Sequence, residues 1–340
     1  MPEPSDHPKT PTGTHAPHGP APRRTLARPT QPIAGRGLFT SRPGTIAFHP
    51  GRHGLRFLVG HRQTPVPARC RALDDAPIHP AFERHAPRST NLADLADLDA
   101  QHDARAATVE HALSALVALG ITDCDVHLAG PEVPILDGSA LSFARVIADA
   151  GTHDLPGGVR PITLDAPLTV QEGQATITAT PRAQPGISIT YLLDYGSNAP
   201  IKPQRATWDG SARAYLHDIA PARTFCLQHE ATALQALGLF QGLTPADMLV
   251  IGPDGPIDNA YRMPNEPAAH KLLDAIGDFA LAGRPIQADI TCHRSGHALN
   301  HRLACALADL AEAADKSDQA HHAEQAHHVQ ASDRAGNAPI

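Results

Sequence analysis

The chain has 340 residues, of which 28 are Lys or Arg and 35 are Asp or Glu, so its formal net charge is −7 with neutral histidines. This length suggests about two domains, and it suffices for a buried core without disulfides or a structural metal. The acidic balance argues against a nucleic-acid-binding protein, which usually carries a basic face. No apolar run approaches the ~18 residues of a membrane span, and residues 1–24 lack the apolar stretch of a secretory signal.

The cysteines are scattered along the chain and include no C-x-x-C pair. They are Cys70, Cys124, Cys226, Cys292 and Cys305. This pattern is typical of reduced thiols rather than of a disulfide framework or a thiolate zinc site. We therefore expect a cytoplasmic protein.

Both ends of the chain have the composition of disordered segments. Residues 1–22 consist largely of Pro, Thr, His, Gly and Ala, and residues 316–340 are polar and rich in histidine. Such segments bury too little apolar surface to offset the entropy lost on ordering. We predict that both tails are disordered.

The residues between the tails predict an α+β protein of two domains, residues 23–155 and 156–315. The boundary is placed in the Gly- and Pro-rich stretch 151–161. In the first domain, helix 108–119 is expected to begin at Thr108 as N-cap and to end at Gly120. The other elements predicted there are strands 45–49, 55–59 and 124–128 and helix 139–150.

The second domain shows several strands followed by its most regular helix. That helix covers about 267–282, with Asn265 as a possible cap, Pro267 in the first turn and Gly283 at the end. A last helix follows residues 295–297. The remaining predicted elements are strands 164–170, 175–179, 187–193, 248–251 and 286–291 and helix 227–239.

The helix predicted at about 267–282 carries the most informative polar pattern. His270, Asp274 and Asp278 are spaced four residues apart, so they lie along one stripe of the helix. A histidine and a carboxylate one turn apart can share a metal, because their side chains lie ~5–6 Å apart. The alternative is an ordinary solvated His/Asp face.

Two further segments could supply the remaining groups of a metal site. Glu110 and His111 stand at a helix start, where one could act as a base and the other as a ligand. The alternative is that Glu110 only faces the positive end of the helix dipole and that His111 is half-exposed. His297 follows Gly296 at a loop-to-helix junction, which could equally be a simple capping turn.

Taken together, the three segments offer two histidines and one carboxylate as ligands, with Glu110 and His297 left as base and acid. The ligand set is His111, His270 and Asp274. This set, with a fourth position open to water, is the pattern of a catalytic zinc site. Spacing alone leaves open whether the three segments meet.

At these residues the chain resembles the zinc-dependent UDP-3-O-acyl-N-acetylglucosamine deacetylases of lipid A biosynthesis. The resemblance covers roughly residues 24–309, in the family's order and spacing, with weaker similarity at 35–38 and in RSTNL (88–92). The motifs that carry it are TVEHALSALVALGI (108–121), PEVPILDGSA (131–140), ARTF (222–225), HKLLDAIGD (270–278) and SGHALN (295–300).

The resemblance implies a role for each polar residue of these motifs. Zn²⁺ would be bound by the ligand set given above. Glu110 would take a proton from the attacking water, and His297, oriented by Asp278, would protonate the leaving amine. Thr224 would hydrogen-bond the oxyanion and Lys271 would assist. An alternative keeps Glu110 as both base and acid.

The resemblance also implies the architecture and the substrate. Each domain would be a β-sheet layered with α-helices, with the active site between the domains and Phe225 lining the substrate site. A β-α-β insert near residues 227–255 would form an apolar passage for the acyl chain of UDP-3-O-acyl-N-acetylglucosamine, with Leu249 or Ile251 lining it. Acetate and the free 2-amino sugar nucleotide would be the products. We expect a monomer.

Three positions depart from the family's pattern, and they bear on the substrate pocket rather than on the ligand or acid–base positions. They are Phe39, Cys226 and Pro267. Two alternatives therefore stay open. One is a zinc deacetylase of the same fold that acts on a different N-acyl sugar. The other is a non-catalytic metal-binding protein, which the histidine pairs at 321–322 and 327–328 would favour.

Overall fold

The computed structural model describes residues 19–82, 88–94, 104–240, 242–244 and 247–336. Within them, runs of strands are followed by helices, and the strands form two large sheets, which confirms the α+β class. No helix in these ranges is long and apolar enough to cross a membrane.

The first half of the chain forms a five-stranded sheet of order β2-β3-β8-β4-β5, in which β4 and β8 run parallel. Its strands place Phe48, Phe57 and Val126 in the same core as Leu113 and Phe143 of the helices α1 and α2. The elements are β1 (Ala21–Leu26), β2 (Ile33–Arg36), β3 (Pro43–Pro50), β4 (Leu55–Val59), β5 (Thr64–Pro67), β6 (Leu92–Ala93), β7 (Arg105–Ala106), α1 (Glu110–Ala118), β8 (Cys124–Ala129) and α2 (Leu141–Ala150).

The second half forms a six-stranded sheet of order β11-β12-β18-β13-β14, with β10 also paired to β18. Helix α5 packs on β13 and β14, and α6 packs on β11 and β12. The elements are β9 (Thr152–Val159), β10 (Ile162–Thr163), β11 (Leu168–Glu172), β12 (Ala175–Pro181), β13 (Ile187–Leu193), β14 (Gln204–Trp208), α3 (Ala212–Ala214), β15 (Phe225–Leu227), α4 (Gln228–Ala236), β16 (Leu249–Gly252), β17 (Gly255–Pro256), α5 (Glu266–Phe279), β18 (Ile286–His293) and α6 (His297–Gly336).

The segment expected to form an insert is a β-α-β unit. Strands β15 and β16 pair in parallel, with Phe225 opposite Leu249, and α4 connects them. Cys226, Ala231 and Leu234 of this unit belong to a second core cluster with Leu38, Phe39 and Phe82, whereas Leu249 and Ile251 belong to the main core.

Helices α1 and α5 cross at very short range between the two sheets. A Cβ atom added at Gly277 would lie 2.0 Å from the carbonyl oxygen of Glu110. Only a glycine therefore lets the middle of α5 approach the first turn of α1 this closely. This crossing brings together residues that are far apart in the sequence.

One predicted helix cap is wrong, and the other is confirmed in its position only. Helix α1 begins at Glu110, and Thr108 lies before it with a φ of 58° while its hydroxyl donates to Glu132 Oε1 at 3.0 Å. Asn265 is the N-cap residue of α5, as predicted, but its side chain makes no capping hydrogen bond, and its amide donates to the carbonyl of Arg205 at 2.8 Å. The expected helix end is confirmed: Gly283 is left-handed, with a φ of 76°.

The predicted domain boundary lies in a strand rather than in a linker. Strand β9 pairs antiparallel with β1, so residues 152–159 tie the start of the second half to the start of the chain. The division of the chain into domains at 155 and 156 stays a prediction.

The predicted tails differ from the structure where it describes them. Residues 1–18 lie outside the described residues, and Ala21 and Pro22 already belong to β1. The expectation of disorder from 316 onward is wrong as far as Gly336, because α6 continues to that residue. Residues 316–335 contain no Gly or Pro and include five Ala and three Gln residues, which favour helix. Residues 337–340 are not described.

The α1–α5 crossing yields a stability prediction. We expect Gly277→Ala to lower the free energy of unfolding by about 1–3 kcal/mol, because the added methyl group overpacks the crossing. Gly296→Ala is the matched control, since nothing lies within 4 Å of its added Cβ. Chemical denaturation measures both, and a Gly277→Ala protein as stable as the wild type would contradict the steric constraint.

Candidate metal centre

The polar stripe of α5 is buried. His270 and Asp274 are each 3% exposed and Asp278 is fully buried, so the alternative of a solvated helix face is wrong. Leu272, Leu273 and the other apolar residues of the helix pack into the core beside them. A buried histidine with two buried carboxylates is costly unless the charges are compensated.

The crossing of the two helices brings His111 of α1 to the stripe of α5. The Nε2 atom of His111 lies 3.6 Å from Asp274 Oδ1, and the Nε2 atom of His270 lies 3.4 Å from the same oxygen. One ligand atom from each of these three residues lies within 4.8 Å of the others. His111 is buried rather than half-exposed. The three side chains predicted as ligands thus converge on one point.

These residues suit a metal ion for two reasons: they offer the right donor atoms, and one of those atoms, Asp274 Oδ1, lacks a hydrogen-bond partner within the described ranges. Asp274 Oδ1 is buried and has no hydrogen-bond partner among the described residues, although buried polar atoms are nearly always paired. The Nδ1 atom of His270 faces the carbonyl oxygen of Ala222 at 3.2 Å, which leaves Nε2 as the free ring nitrogen. A cation between the two imidazoles would compensate the unpaired carboxylate oxygen.

The electrostatics keep the donors in their ligating forms. Burial, only partly opposed by Asp274, lowers the pKa of His270 to about 3, so the ring is neutral. Burial alone would raise the pKa of Asp274, but His270 and Lys271 outweigh it and hold the pKa well below its usual range. Lys271 donates to the other carboxylate oxygen, Oδ2, at 2.8 Å.

Glu110 and His297 border the same cleft as the three candidate ligands. Burial raises the pKa of Glu110, although His297 and His111 oppose this effect. His297 Nδ1 lies 2.9 Å from Asp278 Oδ2. Burial would lower the pKa of His297, but Asp278 outweighs it and raises the pKa to about 9. The cleft therefore pairs a carboxylate of raised pKa with a stably protonated imidazole.

Thr90 connects Glu110 with Asp278, the hydrogen-bond partner of His297. Reasoning from the sequence did not identify this residue. Its backbone N–H donates to Glu110 Oε2 at 3.0 Å, and its hydroxyl donates to Asp278 Oδ1. His301 Nε2 lies 2.8 Å from the same hydroxyl, and the amide of Asn300 donates to Asp278 Oδ2 at 2.9 Å. The weak similarity of RSTNL (88–92) was the only signal that pointed to this segment.

A second group of potential metal ligands lies next to the first. Asp278, His297 and His301 also have ligand atoms within 4.8 Å of one another. Here, however, both carboxylate oxygens of Asp278 accept hydrogen bonds from Thr90 and Asn300. The unpaired oxygen of Asp274 therefore favours the first group as the metal centre.

The cleft above the centre has a volume of about 220 Å³. Phe225 packs edge-on against His270, with ring centroids 6.2 Å apart, and the Thr224 hydroxyl faces no hydrogen-bond partner in the described part of the chain. The cleft also has an apolar wall. It is lined by Leu38, Phe39, Ile135, Cys226, Phe240 and Met248.

The departures from the family's pattern fall in two places. Phe39 and Cys226 belong to the apolar wall, whereas Pro267 lies in the first turn of α5. Leu249 and Ile251 are buried in the main core and do not line the cleft. The expectation that one of them lines an acyl passage is therefore wrong, because alternate residues of β16 face the core.

Comparison with known proteins agrees with the motifs. The family model described as UDP-3-O-acyl N-acetylglycosamine deacetylase (LpxC) matches residues 23–309. A protein of Anaeromyxobacter dehalogenans named UDP-3-O-acyl-N-acetylglucosamine deacetylase is 33% identical over 289 residues, 83% of this chain and 85% of its own. Proteins of that name from Synechocystis and Leptospira biflexa are similar too. The Synechocystis protein is 38% identical over 70% of this chain and 84% of its own length. The Leptospira biflexa protein is 32% identical over 80% of this chain and 85% of its own length. The chain belongs to the UDP-3-O-acyl N-acetylglycosamine deacetylase family.

Proposed function

We propose that this chain is a zinc-dependent deacetylase of lipid A biosynthesis. It hydrolyses the N-acetyl group of UDP-3-O-(3-hydroxyacyl)-N-acetylglucosamine and releases acetate and the free 2-amino sugar nucleotide. The observation that carries the proposal is the buried His111, His270 and Asp274 triad with its unpaired carboxylate oxygen, beside Glu110 and His297, in a chain of this family. The free thiols of its cysteines support a cytoplasmic location.

His111, His270 and Asp274 would hold the zinc ion. Two imidazoles and one carboxylate form a common catalytic zinc set that leaves a position open. When bound, zinc supplies a Lewis acid that polarises the amide carbonyl and makes a nearby water more acidic. Lys271 holds the Oδ2 atom of Asp274, which orients Oδ1 toward the two imidazoles.

Glu110 would act as the general base. Burial raises the pKa of its carboxyl group, which brings it closer to neutral pH and strengthens it as a proton acceptor. The Thr90 N–H holds Oε2, so Oε1 is the atom that takes the proton from the attacking water. Thr224, which also lines the cleft, would donate its hydroxyl to the developing oxyanion.

His297 would act as the general acid. Asp278 binds Nδ1 and keeps the imidazole protonated, which leaves Nε2–H to give its proton to the leaving amine nitrogen. An amide resists hydrolysis because its nitrogen is a poor leaving group until it is protonated. The alternative, in which Glu110 carries the proton to the amine itself, would leave His297 only an electrostatic role.

The apolar wall formed by Phe39, Phe240, Met248 and their neighbours supports an acylated substrate. Each methylene group that moves from water onto such a wall contributes about 0.8 kcal/mol. The same departures from the family's pattern, Phe39 and Cys226, leave the alternative of a different N-acyl sugar as the second candidate.

The ligand assignment predicts the zinc content of variants. We expect His270→Ala and Asp274→Ala to lose both zinc and acetate release while remaining folded, because the core does not depend on these side chains. Metal analysis after gel filtration measures this loss. Replacing the four histidines at 321, 322, 327 and 328 by Gln is the control and should leave one zinc in place. Full zinc in the Asp274→Ala protein would refute the ligand set.

The acid–base assignment predicts opposite limbs of the pH profile. Glu110→Gln and His297→Gln should each retain zinc but lose about a hundredfold or more of kcat. The acidic limb of kcat/KM should disappear in the first variant and the alkaline limb in the second. Near-normal kcat in His297→Gln would favour Glu110 as both base and acid.

The hydrogen bonds of Thr90 predict a positioning role. We expect Thr90→Val to lower kcat about tenfold or more with little change in KM, because Asp278 loses one buried donor worth ~1–3 kcal/mol. The alkaline limb should move to lower pH, since a displaced Asp278 stabilises the protonated imidazole less. Thr90→Ser keeps the hydroxyl and is the matched control. Equal losses in both variants would point to a packing role instead.

The apolar wall predicts the substrate preference. UDP-3-O-acyl-N-acetylglucosamine should be deacetylated with a kcat/KM more than tenfold above that of UDP-N-acetylglucosamine, and a chelator should abolish both reactions. Acetate release measured at equal zinc occupancy tests this ratio. Equal values for the two substrates would transfer the proposal to another N-acyl sugar.

A further inference from the structure

A second cavity, larger than the catalytic cleft, lies elsewhere in the described residues. A groove of about 710 Å³ lies where the C-terminal ends of α1 and α5 meet β1 and β9, and none of its lining residues borders the cleft. Its volume lies within the ~300–1,000 Å³ that small-molecule sites occupy. We call it the arginine groove, after Arg23, Arg24, Arg69, Arg160 and Arg284, which line it.

The floor of the arginine groove is apolar. It is formed by side chains that reach it from both sheets and from α5, among them Ile187, Ile189, Trp208, Ile276 and Phe279. Trp208 belongs to β14, and its ring N–H donates to the carbonyl of Ser211 at 2.9 Å, so its indole presents no free donor. The floor therefore suits a hydrocarbon group rather than a sugar or a base, which would need polar partners.

The wall of the groove carries an excess of positive charge. Five arginines line it against two aspartates, in a chain whose net charge is −7. Four of these arginines are already paired with carboxylates. The pairs are Arg23 with Asp123, Arg24 with Asp154, Arg160 with Asp315 and Asp318, and Arg284 with Asp315.

Arg69 is the exception. Its guanidinium has no hydrogen-bond or ion-pair partner among the residues that the structure describes, although the side chain is partly buried. Two glycine turns confine it: an added Cβ would lie 2.0 Å from Arg69 Nη1 at Gly283 and 3.6 Å from Nη2 at Gly54. Burial, with the charges of Arg71 and Arg284, lowers the pKa of Arg69. A confined, unpaired guanidinium is suited to an anionic ligand.

We propose that the arginine groove is a second ligand site, which binds an alkyl chain on its apolar floor and a carboxylate or phosphate head group on Arg69. The site is separate from the deacetylation chemistry and does not depend on the proposed substrate. It joins the two halves of the chain, because its walls come from β1 and α1 on one side and from α5 and β13 on the other. A bound amphiphile would stabilise this junction.

The chain offers a specific probe of occupancy. Trp208 is its single tryptophan and lies on the floor of the arginine groove, not in the catalytic cleft. A bromine atom quenches tryptophan fluorescence only at short range. We expect ω-bromoundecanoate and ω-bromoundecyl phosphate, below their micellar concentrations, to quench Trp208 saturably. The uncharged ω-bromoundecanol should quench it at least tenfold more weakly, because it cannot pair with Arg69. The ratio between the two anions tells which head group the site prefers.

A matched pair of variants tests the anchor. Arg69→Gln should raise the Kd for both bromoalkyl anions about tenfold or more, as expected for loss of a charge-assisted hydrogen bond. Arg145→Gln makes the same charge change on an exposed residue outside the groove and should leave the Kd unchanged. Equal affinity of the wild-type protein for the acid and the alcohol would overturn the anion site even if a variant failed to fold. Absence of saturable quenching would overturn the ligand site altogether. Quenching that the deacetylase substrate reverses would mean that the substrate itself occupies the groove, and it would contradict a site separate from the deacetylation chemistry.

Discussion

The close crossing of α1 and α5 is the constraint on which the site depends. At Gly277 the backbone of α5 touches the carbonyl of Glu110, with no room for a side chain. This contact sets His111 of α1 against Asp274 of α5, so imidazoles from two distant segments meet at one carboxylate oxygen. The apolar packing of both helices between the two sheets then offsets the cost of burying six ionisable groups in one place. They are Glu110, His111, His270, Asp274, Asp278 and His297.

The two buried aspartates of α5 differ in how their carboxylate oxygens are bonded. Asp274 keeps one oxygen unpaired toward the imidazoles, whereas both oxygens of Asp278 are committed to neighbouring donors. Thr90 links Asp278 to Glu110, because its backbone N–H donates to Glu110 and its hydroxyl donates to Asp278. A shift of Thr90 would displace Glu110 and the Asp278–His297 pair together, so the network behaves as one unit rather than as separate pairs.

Features that follow from hydrophobic periodicity and from the family motifs could be predicted from the sequence. The spacing of His270, Asp274 and Asp278 predicted one face of one helix, and the family motifs predicted which other side chains would join it. Thr108 was misjudged as a cap because its role follows from a contact with Glu132 across the fold. No role could be assigned to Thr90 or Arg69 from the sequence. The hydrogen bonds of Thr90 and the confinement of Arg69 both arise only when segments distant in the sequence pack together. The tail was misjudged because low apolar content does not prevent an Ala-rich segment without Gly or Pro from being helical.

Zinc K-edge X-ray absorption on the full-length protein loaded with one equivalent of zinc tests the metal centre most directly. The geometry at the α1–α5 crossing predicts two imidazole nitrogens and two oxygens at about 2.0–2.1 Å, from His111, His270, Asp274 and one solvent molecule. The Asp274→Ala protein should not give this spectrum. A sulfur ligand, or three or more imidazoles, would mean that the metal lies elsewhere and would contradict the assignment.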